Sequence, residues 1–124
     1  MFGLEIELIS GDREAELIWE GVRLSMDIGT EPALIVDIGG GSTEFIIANA
    51  QDVFWKKSYL LGVSRLHDRV RPAERIERHQ LHELEILLRE ELSDLQEALK
   101  QFPVTRLIGS SGSFDTLRAM HYRD

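Results

Sequence analysis

The sequence predicts an α/β domain with one long amphipathic helix, and three observations carry that reading. Short runs rich in Ile, Val and Phe, residues 34–36 and 45–47, have strand length and composition and flank a turn of three consecutive glycines. Residues 12–27 and 73–101 repeat apolar side chains every three or four positions, the helical period. Near the end, Arg106-Leu107-Ile108 runs through Gly109-Ser110-Ser111-Gly112-Ser113 into another helical stretch, so strand, loop and helix follow in order.

Leu4, Ile6 and Leu8 alternate with Glu5 and Glu7, which reads as a strand over residues 4–9 with one wet face or an edge. A strand so close to the first residue also looks like a cut through a longer chain. Ser10-Gly11-Asp12 breaks it, and Asp12 is the expected N-cap of a helix reaching about Asp27. Ala15, Ile18, Val22 and Ser25 form one stripe and Leu17, Gly21, Leu24 and Ile28 a second beside it, so a wide buried face is expected. Gly29-Thr30-Glu31-Pro32 is a turn. After the glycine turn and its two strands, Asn49-Ala50-Gln51-Asp52 turns the chain again. Residues 53–57 read as a third strand, which Tyr59-Leu60-Leu61 continues or restarts until Gly62 breaks it. Residues 63–70 suit a short helix, and Pro72 stands where a helix begins. Over residues 73–101, Leu81, Leu84, Leu88, Leu92, Leu95 and Leu99 share one face while acids dominate the other, as in a helix lying on a sheet. Phe102-Pro103 ends it. A short strand over 106–108 and a helix over 114–122 complete the chain.

The glycine turn carries the chemical content. Three glycines in a row give up packing and cost backbone entropy; they offer positive φ and close approach to the main chain. Backbone N–H groups bunched in such a turn suit phosphate oxygens. Asp37 and Glu44 at the two strand ends could hold a hard cation such as Mg²⁺ directly or through water. A dinucleotide fingerprint or a P-loop would lead into a helix, and a P-loop would carry Gly-Lys-Ser/Thr. Here Phe45-Ile46-Ile47-Ala48 is strand and no lysine follows. A plain hairpin would be served by a two-residue turn.

Glu14 sits at the strand-to-helix corner, where a helix-dipole role and a general-base role are both open to it. Glu16 is assigned to the dipole. In the basic cluster Arg65 follows the Gly62 break closely and suits a phosphate, whereas Arg69 and Arg71 read as solvated. His79 and His82 lack further metal ligands and read as exposed. The Gly/Ser loop at residues 109–113 opens a helix, a setting that favours anions. Together the two loops suggest one cleft.

At 124 residues the chain is one domain, or part of one. A hydrophobic fraction of 43% suffices for a packed core. The net charge of −8 argues against general nucleic-acid binding and against anionic membranes, so an anionic substrate needs local positive potential. The absence of cysteine excludes disulfide and thiolate chemistry and fits a cytoplasmic protein. No apolar run approaches transmembrane length, and the start has no signal-peptide core.

These segments, in this order, resemble the exopolyphosphatase / guanosine pentaphosphate phosphohydrolase family. Ile9-Ser10-Gly11-Asp12-Arg13-Glu14-Ala15 resembles its ISGxxEA segment, with Arg13 where many members have Glu. Asp37 to Glu44 resembles its DIGGGSTE phosphate loop, and Leu61-Gly62-Val63-Ser64-Arg65-Leu66 its LGxxRL segment. Gly109-Ser110-Ser111-Gly112-Ser113 sits where that family has its later glycine loop. The Asp-x-Gly-Gly-Gly pattern is shared with actin-like and heat-shock chaperone ATPases; the other segments narrow the resemblance, which covers nearly the whole chain.

The resemblance implies the actin-like ATPase fold, a ribonuclease-H-like core with a mixed sheet and flanking helices. It implies Mg²⁺-assisted hydrolysis of a terminal phosphoanhydride in inorganic polyphosphate or guanosine pentaphosphate. By position, Glu14 matches the family's proposed catalytic base. Asp37 and Glu44 match the acids associated with metal and water, and Gly39, Gly40, Gly41, Ser42 and Thr43 match the phosphate-binding turn. Positioning and electrostatic stabilisation carry most of phosphoryl transfer, which agrees with such a set. The family's first, N-terminal phosphate loop, its STAxR segment and its later helical part have no counterpart here. The chain therefore looks like the second half of the catalytic core, expected to be inactive or feeble alone. Two other function classes stay open: a non-catalytic phosphate- or nucleotide-binding module, and an actin-like assembly protein using the long helix. A half-core with an uncovered face is expected to be prone to homo-oligomerise.

Overall fold

A computed structural model describes residues 3–122. Helix α1 (Gly11–Ser25) precedes strands β1 (Ala33–Ile38), β2 (Thr43–Ala48) and β3 (Val53–Tyr59). Helices α2 (Val63–Val70), α3 (Arg78–Glu91) and α4 (Ser93–Gln101) follow, then strand β4 (Leu107–Ser110) and helix α5 (Gly112–His121). The strands form one sheet in the order β3-β2-β1-β4. The first two pairings are antiparallel hairpins, whereas β1–β4 is parallel, as a strand returning after a helical crossover must be. The α/β class and the mixed sheet are as the sequence predicts. No helix among the described residues is long and apolar enough to cross a membrane.

Helices cover both sheet faces, which is why the central strands read as nearly unbroken apolar runs. Ala33, Ile35, Ile46, Ala48 and Ile108 pack on Ala15 and Val22 of α1. Leu34, Val36, Ile47 and Tyr59 point the other way, onto Leu61 and onto Leu95 and Ala98 of α4. Ile35, Ile46 and Ile47 are fully buried, each worth about 1.5–3 kcal/mol.

Four expectations are corrected. Residues 4–9 are not a strand: Leu4, Ile6 and Leu8 are 84%, 93% and 95% exposed, and no strand among the described residues pairs with them. Alternation marks a strand only where a neighbour completes the ladder. The N-cap of α1 is Ser10, whose Oγ accepts from Arg13 N at 3.2 Å, and not Asp12. The buried face of α1 is narrow, because the sheet meets only the stripe through Ala15 and Val22; Leu24 on the other stripe is 87% exposed. The long helix over 73–101 is two helices. Glu77 caps α3 in a reciprocal box with Gln80, and residues 73–77 lie outside it. Leu92, at φ −95° and ψ 17°, breaks the helix before Ser93.

Just past the break, α4 is tied to the sheet. Asp94 accepts from Tyr59 Oη at 2.5 Å and from Lys57 Nζ, both on β3, which seats α4 on the sheet while α3 runs past it. Burial pushes the Asp94 carboxyl up, but those two donors outweigh it and hold it below its ordinary value. Burial, reinforced by Asp94, raises the Tyr59 hydroxyl, which therefore stays protonated and donating. A carboxyl lowered in the folded state contributes stability above its unfolded value and loses it as pH falls through the folded one. We expect Asp94→Asn to cost about 1 kcal/mol at neutral pH, allowing for partial exposure. In urea unfolding this deficit should vanish as pH falls below the ordinary aspartate range.

Candidate functional site

The β1–β2 register sets the site. Ile38 pairs with Thr43, leaving Gly39-Gly40-Gly41-Ser42 as the loop, and Gly39 N closes it by donating to Ser42 O at 2.9 Å. None of the three glycines has the positive φ expected of them. The close approach belongs to Gly62 on the α2 side; a Cβ on Gly40 or Gly41 would stand 3.4 or 3.9 Å from the nearest side-chain atom of α2. Gly62 N, Val63 N and Ser64 N, at the start of α2, donate to the carbonyls of Gly41, Gly39 and Gly40 at 3.2, 2.9 and 2.9 Å. A Cβ on Gly62 would stand 2.3 Å from Gly40 C and O, so this contact requires glycine there.

That docking orients the turn. All described peptide bonds are trans. In a trans peptide the C=O of one residue points opposite to the N–H of the next. With the Gly39, Gly40 and Gly41 carbonyls aimed at α2, the N–H groups of Gly40, Gly41 and Ser42 point away from it. They donate to no main-chain carbonyl among the described residues. Leu66 of α2 packs with the α4-side cluster, so α2 closes the turn from that side.

On the α1 face a polar row crosses the sheet. Ser58, Glu44, Asp37 and Ser110 are direct neighbours on β3, β2, β1 and β4. Glu44 is 1% exposed, and its Oε1 accepts from Ser42 Oγ at 2.7 Å and Ser58 Oγ at 2.8 Å. Asp37 is half-buried. The first turn of α1 lies over β3: a Cβ on Gly11 would stand 2.6 Å from Ser58 Cβ. Lys56 reaches up to Asp12 O and Glu16 Oε1, at 3.3 and 2.7 Å. Glu16 thus fastens α1 to β3, beyond the dipole role expected of it. Glu14, one turn into the helix, overlooks the row. Its carboxyl is raised, first by desolvation and then by the like charges of Glu44 and Asp37.

The structure brings Glu14, Asp37, Glu44, Gly40, Gly41 and Ser42 to one end of the sheet. Thr43 is set apart: it is buried on the α4 face, and its hydroxyl donates to Leu61 O at 3.0 Å. It supports the turn from behind. His79 and His82 are exposed. The Gly/Ser loop meets the same end of β1, where Ser111 Oγ and Ser113 Oγ donate to Ile38 O at 3.3 and 3.0 Å. Ser111 adopts φ 81° and ψ 168°, a region almost confined to glycine. Replacing Ser111 by Gly is expected to stabilise the fold by about 1 kcal/mol in thermal unfolding, since the hydroxyl contact it loses is long.

Sequence reasoning did not single out Ser58, whose one signal is register: it sits where strand alternation places it beside Glu44, whereas Ser110 and Gly11 entered only within the Gly/Ser loop and the ISGxxEA segment.

A model of the Ppx/GppA phosphatase family matches residues 1–123. The chain belongs to that family. Among solved structures, an exopolyphosphatase from Cytophaga hutchinsonii is similar at 39% identity with a TM-score of 0.90, over 98% of this chain and 40% of that one. The Aquifex aeolicus PPX-GPPA enzyme is similar at 25% identity with a TM-score of 0.81, over 98% and 39%. The chain therefore spans about two-fifths of the length of these Ppx/GppA relatives.

Proposed function

We propose that the chain forms one lobe of a phosphohydrolase core and supplies the phosphate-binding turn and base for hydrolysing terminal phosphoanhydrides of inorganic polyphosphate or guanosine pentaphosphate. The observation that carries this reading is the orientation of the turn. Its carbonyls are spent on α2, and its amides are left without main-chain acceptors at the sheet end where Asp37, Glu44 and Glu14 lie. The turn amides hold the terminal phosphoryl group and favour the charge that develops on its oxygens. Glu14 holds the attacking water and takes its proton, and a raised carboxyl is a better base near neutral pH than an ordinary one.

Among the described residues no group of three or more His, Cys, Asp or Glu is arranged to hold a metal. A pair of carboxylates nevertheless fits Mg²⁺, which keeps several waters and uses one or two carboxylates together with substrate phosphates. Asp37 is the ligand we assign. Glu44, with one oxygen already taken by two hydroxyls, would act through its other oxygen or a water. The ion would neutralise charge on the phosphate oxygens.

The experiment is phosphate release in Mg²⁺ by a polypeptide carrying these residues within the full length of the relatives. Orthophosphate should appear from polyphosphate or guanosine pentaphosphate. Release from neither substrate would sink the reading.

A further inference from the structure

Helix α3 runs past the sheet, and none of its residues is buried. Among the described residues, Leu88 is its one side chain packed against the α4-side core. Gln80 Nε2 donates to Val70 O at 3.1 Å and ties the start of α3 to the end of α2. An open groove lies along this junction, with Val70, Leu84, Ile86 and Leu87 as its apolar lining. Ile86 is 45% exposed there. Arg69 and His79 line the end of the groove beside Val70, and Glu90 lines the other end, about three helical turns along α3. Arg69 and Glu90 form no ion pair among the described residues. His79, Glu83, Ile86 and Glu90 follow one another at the four-three-four spacing of a seam between two packed helices.

We propose that α3 is an interface between two copies of this chain, packed antiparallel about a twofold axis. Leu84, Ile86 and Leu87 meet across the axis, and Arg69 of each copy lies beside Glu90 of the other. Charge complementarity selects a second copy as the occupant. A groove that is basic at one end, apolar in the middle and acidic at the other is complementary to itself turned end for end, as an isologous contact requires. A parallel pairing would set like charges side by side. The seam is short: a helix of 14 residues is about 21 Å long. Glu83 also interrupts its apolar row. The dimer is therefore weak and concentration-dependent. It does not rest on the phosphate reading of the turn.

The test is sedimentation equilibrium of the 124-residue chain at low salt. Wild type should fit a monomer–dimer equilibrium with a Kd of about 10–100 µM when followed up to about 500 µM. Ile86→Asp should raise that Kd at least about tenfold, because it puts a charge in the middle of the contact. Arg69→Glu and Glu90→Arg should each raise it about tenfold, since the twofold axis introduces every substitution twice. The double variant Arg69→Glu/Glu90→Arg should return to within about threefold of wild type, because the exchange keeps the two ends complementary. Within one copy these residues stand at opposite ends of the groove, so the restoration comes from contact between copies. Arg69, Ile86 and Glu90 are exposed, so all variants should keep the wild-type far-UV spectrum. A chain that stays monomeric throughout this range would overturn the proposal. So would a dimer indifferent to Ile86→Asp, which would place the contact on another surface, or a double variant as weak as the single ones.

Discussion

Glu14→Gln, in a polypeptide of the relatives' full length, is expected to lower phosphate release by about 10²- to 10⁴-fold with little change in substrate affinity. The amide keeps the size of the side chain and removes its ability to accept a proton from water. The same substitution should leave the 124-residue chain slightly more stable at neutral pH. Glu14 is raised by desolvation and by the charges of Glu44 and Asp37, so its ionised form is disfavoured in the fold. A carboxyl raised on folding contributes its stability below the unfolded value and loses it as pH rises through the folded one. The variant's advantage should therefore appear above the ordinary glutamate range and vanish below it. It should not exceed a few tenths of a kcal/mol, because the side chain is exposed and solvent screens it. A residue kept for the helix dipole would show the reverse: lost stability and unchanged turnover.

Gly62→Ala is expected to be the most damaging single methyl group in the chain for binding. Its Cβ would stand 2.3 Å from Gly40 C and O and 2.5 Å from Gly41 C, and these are backbone atoms with no rotamer to yield. Either α2 lifts from the turn or the turn shifts, and the three hydrogen bonds to its carbonyls stretch. We expect a loss of about 3 kcal/mol, read as a fall of roughly 10 °C in melting temperature. Tripolyphosphate binding should fail as well, because those bonds aim the amides. A variant as stable as wild type with full affinity would show that the α2 contact does not orient the turn.

Much of this was legible in the sequence, for identifiable reasons. The β1–turn–β2 hairpin was legible because apolar runs of strand length border three glycines, and α2 because Gly62 separates it cleanly from β3. Residues 4–9 misled because alternation is a local signal, whereas a strand exists only through its neighbour. The break at Leu92 was hidden because the leucine stripe continues through it. Just past it, Asp94 is held by Tyr59 and Lys57, residues 35 and 37 positions away. The glycines were correctly picked out as special, but for a partly wrong reason. They do not adopt positive φ, and the glycine that the close contact with α2 requires is Gly62. Ser58 could not be chosen beforehand, because its place beside Glu44 follows from strand order.

The central claim is that the Gly40, Gly41 and Ser42 amides, turned away from α2, form a phosphate cradle. The most direct measurement is an amide NMR titration of the 124-residue chain with tripolyphosphate, with and without Mg²⁺. Large saturable shifts are expected at these three amides, growing with Mg²⁺, and little change at Gly39, whose N–H is already bonded within the loop. Unmoved Gly40, Gly41 and Ser42 amides at millimolar tripolyphosphate and Mg²⁺ would contradict it.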